Sequence, residues 1–139
     1  MLFPLAYPSF EGKPKLNIAM NVFYQSEIKD NYLLVTAHGA IWSVEQMMEY
    51  IEKVRVDLQK AALKKLLIDE SQCHLHIDLG KAVTVVQGGE ELDSSSPDLQ
   101  KAFVCSEMNY ALYRHLFGSN KNVKIFTELE DAETWLMSR

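Results

Sequence analysis

Cys73, His74, His76 and Asp78 fall within six consecutive residues. In an extended segment His74, His76 and Asp78 project to the same side, and nitrogen and oxygen donors on one face suit a divalent cation. Their spacing matches no common zinc site, and no CxxC or HxxxH pattern supports one. No metal or other cofactor is therefore expected. The competing reading is a polar loop at the strand ends, with Asp78 as the N-cap of a following helix.

A second group lies just upstream, where Leu66-Leu67-Ile68 runs into Asp69, Glu70 and Ser71. The carboxyl end of a parallel strand is where open α/β sheets place ligands. Carboxylates there also cap loops and satisfy backbone amides. Asp69 and Glu70 are adjacent on a strand, so they face opposite sides and are poorly placed to act as one acid–base pair. Asp69, Glu70, Ser71, His74, His76 and Asp78 are thus candidates for binding a ligand or partner, and no residue is assigned to catalysis.

Other chemistry-bearing residues read more simply. Cys105 ends an apolar strand, Ala102-Phe103-Val104-Cys105, and a free cysteine there is usually a small buried hydrophobe. Gly88-Gly89 follows a helical stretch without the Lys-Ser/Thr of a phosphate loop, so it reads as a helix C-cap. Met108, Tyr110, Leu112, Tyr113 and Phe117 give one helix more apolar surface than a single buried face needs. Some of these could line a groove for a lipid-like ligand or a partner.

These residues must be held by elements that the local patterns define. Three of the four prolines, Pro4, Pro8 and Pro14, make residues 1–15 an extended apolar arm. That arm is expected to dock, with a homodimer as one outcome. A single domain, residues 16–139, follows it. Two β-rich runs about Lys29-Asp30-Asn31 predict an N-terminal hairpin, its second strand ending at Gly39. Ser43 with Gln46 opens the best helix, with Trp42 and Met47 in place for a hydrophobic staple. Its stripe is Val44, Met47, Met48, Ile51, Val54, Leu58 and Ala62. Lys65 to Asp69 is a buried parallel strand reached by a right-handed crossover. A helix from about Asp78 to Gln87, strand 102–105, a helix from about Ser106 to Phe117, strand Val123–Phe126 and a helix from about Leu129 complete the order. Trp135 is expected to be buried beneath the last helix.

Composition narrows the class. The chain has 139 residues, is 47% hydrophobic and 24% charged, and carries a formal net charge of −5. Acidic balance disfavours nucleic acid and anionic membrane surfaces as partners. No run of about 18 apolar residues predicts a membrane span. Two cysteines do not make a disulfide framework, and MLFPLAYPSF lacks the basic start of a signal peptide, so a reduced, cytoplasmic protein is expected.

The layout then resembles a known family. The hairpin, the long helix, Leu67-Ile68-Asp69 and the tail Val123-x-Ile125-Phe126 followed by Ala132-x-x-Trp135-Leu136 look like the STAS domain of SpoIIAA-like anti-sigma-factor antagonists, in its small stand-alone bacterial branch. The resemblance spans roughly residues 18 to 139. It implies an α/β fold with a mixed sheet of about five strands, helices packed mainly on one side, and a non-enzymatic regulatory or ligand-binding role. In the phosphorylated members a Ser or Thr stands at the start of the second helix, where free N–H groups and the positive helix end meet a phosphate. Here Asp78-Leu79-Gly80-Lys81 lacks that hydroxyl, so the resemblance implies a module without the usual phosphoswitch. Two alternatives stay open: a carrier of a small apolar or lipid-like ligand, and an enzyme with a site near Asp69 and His74.

Overall fold

Asp30 and Asn31 form a two-residue turn between strands β1 (Val22–Lys29) and β2 (Tyr32–Ile41), whose antiparallel register runs from Lys29↔Tyr32 to Val22↔Gly39. Asp30 takes φ 45°, the left-handed geometry that such a turn needs and that Asx residues tolerate. The computed structural model describes residues 22–93, 98–118 and 120–139. The expected arm 1–15, the segment 16–21 and Ser94 to Ser96 lie outside the described residues.

Helix α1 (Val44–Ala61) follows, then β3 (Lys65–Leu75), α2 (Leu79–Asp93), β4 (Gln100–Val104), a 3₁₀ turn (Glu107–Asn109), α3 (Tyr110–Phe117), β5 (Val123–Phe126) and α4 (Leu129–Met137). The five strands lie side by side in chain order, and every pair after the hairpin is parallel. An order that never reverses has a simple consequence. Three successive right-handed crossovers advance in one direction, so α1, α2 and α3 must all lie on one face of the sheet. The packing agrees. Met47, Tyr50 and Val54 of α1, Ala82 and Val86 of α2, and Tyr113 and Leu116 of α3 share a core with Leu33, Val35, Ile68 and Phe103 of the strands. Among the described residues helix α4 alone covers the other face, where Ala132 and Leu136 meet Leu34, Leu67, Ala102 and Val104. This is the α/β mixed sheet expected from the sequence.

Several local expectations are corrected. The second strand does not end at Gly39, which adopts φ 117° and lets β2 run on to Ile41. That extra length pairs with an extended β3, from Gly39↔Cys73 to Ile41↔Leu75. Cys73 and His74 therefore belong to a strand rather than a loop. Gly88-Gly89 does not cap α2, which continues through both to Asp93. Each glycine costs roughly 1 kcal/mol in a helix interior, but burial of Ala82 and Val86 fixes the helix to the core.

On α1 the buried positions are Met47, Tyr50, Val54 and Leu58, so the stripe includes Tyr50 and leaves Met48 exposed. Ser43 caps the helix through the Gln46 amide at 3.2 Å. In return Gln46 Oε1 accepts from the Trp42 amide at 2.7 Å. Trp42 closes no buried staple. It is 56% exposed and stacks on His76 with ring centroids 4.1 Å apart. Trp135 is only half-buried and packs beside Phe126, whereas Leu136 is the fully buried anchor of α4.

Candidate functional site

The site begins with an irregularity in β3. Thr36 pairs with Asp69 and His38 with Gln72, so Ala37 alone faces Glu70 and Ser71. This is a bulge, uncommon between parallel strands. Asp69 holds it in place: its Oδ1 accepts both the Ser71 amide at 3.0 Å and the Ser71 hydroxyl at 2.7 Å. The extra residue changes which positions face the three helices. Leu66 and Ile68 face them before the bulge, Cys73 faces them after it, and Glu70 falls on the same inward side.

Glu70 is therefore a carboxyl group inside the core, 6% exposed. Its two oxygens are divided between two helices. The Tyr50 hydroxyl of α1 donates to Oε2 at 2.6 Å. The Tyr113 hydroxyl of α3 donates to Oε1 at 2.6 Å. Each tyrosine is set by its own neighbours. Tyr24 of β1 meets the Tyr50 ring edge-on, and its hydroxyl, with that of Ser26, donates to Asp57 on α1. Phe103 of β4 stacks on Phe117 and meets Tyr113 edge-on.

Burial dominates the electrostatics. It raises the Glu70 carboxyl above the usual carboxylate range; the bonds from Tyr113 and Tyr50 pull it partly back, and Asp69 adds to the rise. Burial, then the Glu70 charge, pushes both tyrosines well above their ordinary value. The Cys73 thiol is pushed up to about 12, by burial first and then by Glu70 and Asp69. Burial, with a smaller push from Glu70, raises Cys105 to about 11. Neither cysteine carries the thiolate a nucleophile needs near neutral pH.

Next to this cluster lies a cavity of about 100 Å³ between the sheet and α1, α2 and α3. Its wall is almost wholly apolar, with Val54, Leu66, Ile68, Val86, Leu116 and Phe117 prominent. Arg55 and Lys101 are the cations in the lining. Lys101 pairs with Leu66, so it lies about 13 Å along the sheet from Glu70 at the usual strand rise. Arg55 reaches toward α2, its Nη2 3.7 Å from where a Cβ on Gly89 would sit. The result is an elongated apolar space with hydroxyl and carboxyl groups at one end and two cations farther along.

The residues singled out from the sequence do not form one site. Glu70 enters the core, while Asp69 and Ser71 build the bulge beside it. His74 is exposed on β3. His76 is exposed beyond the strand and lies under Trp42, its ring 6.3 Å from that of His74. Asp78 Oδ2 accepts from the Lys81 amide at 3.1 Å, in the first turn of α2. Among the described residues no three His, Cys, Asp or Glu side chains are grouped closely enough to hold a metal ion. A strand order without reversal has no switch-point crevice at the strand ends, and the cavity opens between sheet and helices instead.

Tyr50, Arg55 and Lys101 were not singled out by the sequence reading, although each left a trace there. Tyr50 lies three residues after Met47 and four before Val54, on the apolar stripe. Arg55 lies four after Ile51 and three before Leu58, at the edge of that stripe. Lys101 shares a strand face with Phe103.

No family model matches the chain, and neither does any curated protein. Solved structures do share its fold. An anti-sigma factor antagonist from Mycobacterium paratuberculosis is 21% identical and superposes with a TM-score of 0.60, covering 84% of this chain and 94% of its own. A serine-to-glutamate variant of RsbS from Moorella thermoacetica is 17% identical, with a TM-score of 0.54, covering 83% of this chain and 95% of its own. The STAS resemblance read from the sequence thus holds at the level of fold.

Proposed function

We propose that this chain, built on the STAS fold, is a non-enzymatic regulatory module that binds a small, largely apolar molecule between its sheet and helices α1, α2 and α3. The observation that carries the reading is Glu70, a buried carboxyl at the end of an apolar cavity. Burying such a group costs free energy even when it is hydrogen-bonded, and a purely structural core has a cheaper solution in leucine. The cavity is roughly two-thirds the size of the ~150 Å³ apolar cavity that admits benzene. A molecule with one small ring or a short chain suits it.

A bound molecule takes the place of a phosphate as the signal. The first turn of α2 offers Leu79 and Gly80 instead of a hydroxyl, and the Asp78 carboxylate already occupies the Lys81 amide. An arriving phosphate meets a like charge there. Likeness to an anti-sigma factor antagonist supports a protein as the partner that reads the signal. Exposed Trp42, Met48 and Leu79, near the starts of α1 and α2, supply apolar surface for it. The enzyme alternative near Asp69 and His74 finds no support in the geometry. Asp69 is engaged with Ser71, and His74 stands exposed while Glu70 is buried.

Native mass spectrometry of the full chain isolated from its own cells tests the reading. A non-covalent adduct is expected, lost on denaturation and weakened by Val86→Phe, which fills the cavity. A bare protein mass, together with no thermal stabilisation by any small apolar compound, overturns it.

A further inference from the structure

The two tyrosine hydroxyls spend their hydrogens on Glu70. Each has a single O–H, and Tyr50 gives its own to Oε2 and Tyr113 to Oε1, at 2.6 Å in both cases. That is the distance hydroxyls keep from an ionised carboxylate. A carboxylate oxygen accepts two hydrogens, so each Glu70 oxygen keeps a place for one more. Among the described residues Glu70 has no partner besides the two tyrosines, and no Lys, Arg or His supplies a counter-charge. This end of the cavity is therefore built of acceptors, around a 6% exposed charge that the fold leaves unmatched. Buried charges are ordinarily paired.

We propose that the cavity's occupant is a small primary amine, whose ammonium donates to the open positions on Glu70 and supplies the missing counter-charge. The inference rests on the small-molecule reading above and adds the chemistry of the bound group. An ammonium has three N–H donors and no acceptor. Glu70 takes two of them, and the hydroxyl oxygens of Tyr50 and Tyr113, which keep their lone pairs, can take the third. A carbonyl or carboxylate on the occupant meets only other oxygens here. An alcohol or an amide brings a donor but leaves the charge unmatched.

The pair that forms is the same from either starting state. An ionised Glu70 takes up the ammonium directly. A protonated Glu70 passes its proton to the free amine, and the same ammonium and carboxylate result. The rest of the cavity suits the rest of such a molecule. Ile68 lies on β3 between Glu70 and the level of Lys101, and Val86, Leu116 and Phe117 continue an apolar wall for an alkyl or small-ring body. The two cations do not compete at the Glu70 end. Lys101 is about 13 Å away along the sheet, and Arg55 is engaged with Glu52 at 3.1 Å.

n-Butylamine, n-pentane and pentanoate are suitable probes, since they share a butyl chain and differ in its end: ammonium, methyl or carboxylate. Each is titrated into the full chain at pH 7, where an alkylamine is charged as lysine is, and followed by NMR at Tyr50, Tyr113 and Ile68. Butylamine is expected to bind there roughly ten- to a hundredfold more tightly than pentane, the worth of one hydrogen bond to a charged group. Pentanoate should bind weakest. Glu70→Gln should erase the preference for the amine, because its amide is neutral and presents a donor of its own. The wild-type series decides the question whether or not the variant folds. Pentane or pentanoate binding as tightly as butylamine overturns the ammonium inference and leaves an apolar binding cavity. Butylamine that perturbs only surface residues, while pentane enters, does the same. Entry of no probe into the cavity overturns both.

Discussion

The Tyr113 hydroxyl donates to Oε1 of Glu70 across 43 positions of chain and so fastens α3 to the bulge of β3. Removing it strands one buried oxygen. Tyr113→Phe is expected to destabilise the protein by about 1–3 kcal/mol, read from the urea midpoint. It should also move the Glu70 carboxyl further upward, because a donor that favoured the charged form is gone. Carboxyl carbon NMR of Glu70 follows that shift, and an unchanged carboxyl would deny the bond its role.

Glu70 gives stability an unusual pH trend. Its folded pKa lies above the unfolded value, so between the two the native state binds more protons than the unfolded chain. Its contribution is fully present below the ordinary Glu range and is lost as pH rises through the raised folded value, at about 1.4 kcal/mol per unit. Denaturation series across pH should show that loss in the wild type, while Glu70→Gln removes it. Parallel pH profiles for the two proteins would contradict the assignment.

Leu136 and Trp135 separate packing from mere size. Leu136 is 0% exposed in the small core under α4, while Trp135 lies at its margin beside Arg139. Leu136→Ala should cost roughly 2–5 kcal/mol. Trp135→Ala should cost less, despite the larger deletion. The reverse order in urea midpoints would mean that α4 docks through its tryptophan.

Ala62 closes α1 at φ 56°, with its amide bonded to the Gln59 carbonyl at 3.1 Å. The left-handed region strains a residue with a Cβ and leaves glycine unstrained. Ala62→Gly is expected to stabilise by roughly 0.5 kcal/mol after glycine's extra unfolded-state entropy is counted. Thermal unfolding measures it, and a lowered midpoint would show that the cap tolerates alanine without strain.

Element types, their order and the inward residues of most strands follow from local pattern alone. Leu33, Val35 and Ala37 alternate, Met47, Val54 and Leu58 recur at helical spacing, and Ser43 and Asp78 are hydroxyl or carboxylate residues directly before helices. Each of these depends on neighbours within about two turns of chain, so the sequence displays them. It also brought attention to Glu70 and Tyr113 separately, one as a strand-end carboxylate and the other as surplus aromatic surface.

Their meeting was decided only in three dimensions. Alternation from Leu66 and Ile68 already turns Glu70 inward, and the bulge, where Ala37 of another strand faces two residues at once, shifts the phase beyond it so that Cys73 faces the same side. Tyr50 and Tyr113 lie 20 and 43 positions from Glu70. They reach its two oxygens because an unreversed strand order lays α1 and α3 on the same face of the sheet. Spacing along a chain sets which way a side chain points within its own element. What it points at depends on crossovers and registers that couple distant segments, and there the carboxyl, the two hydroxyls and the cavity became one site.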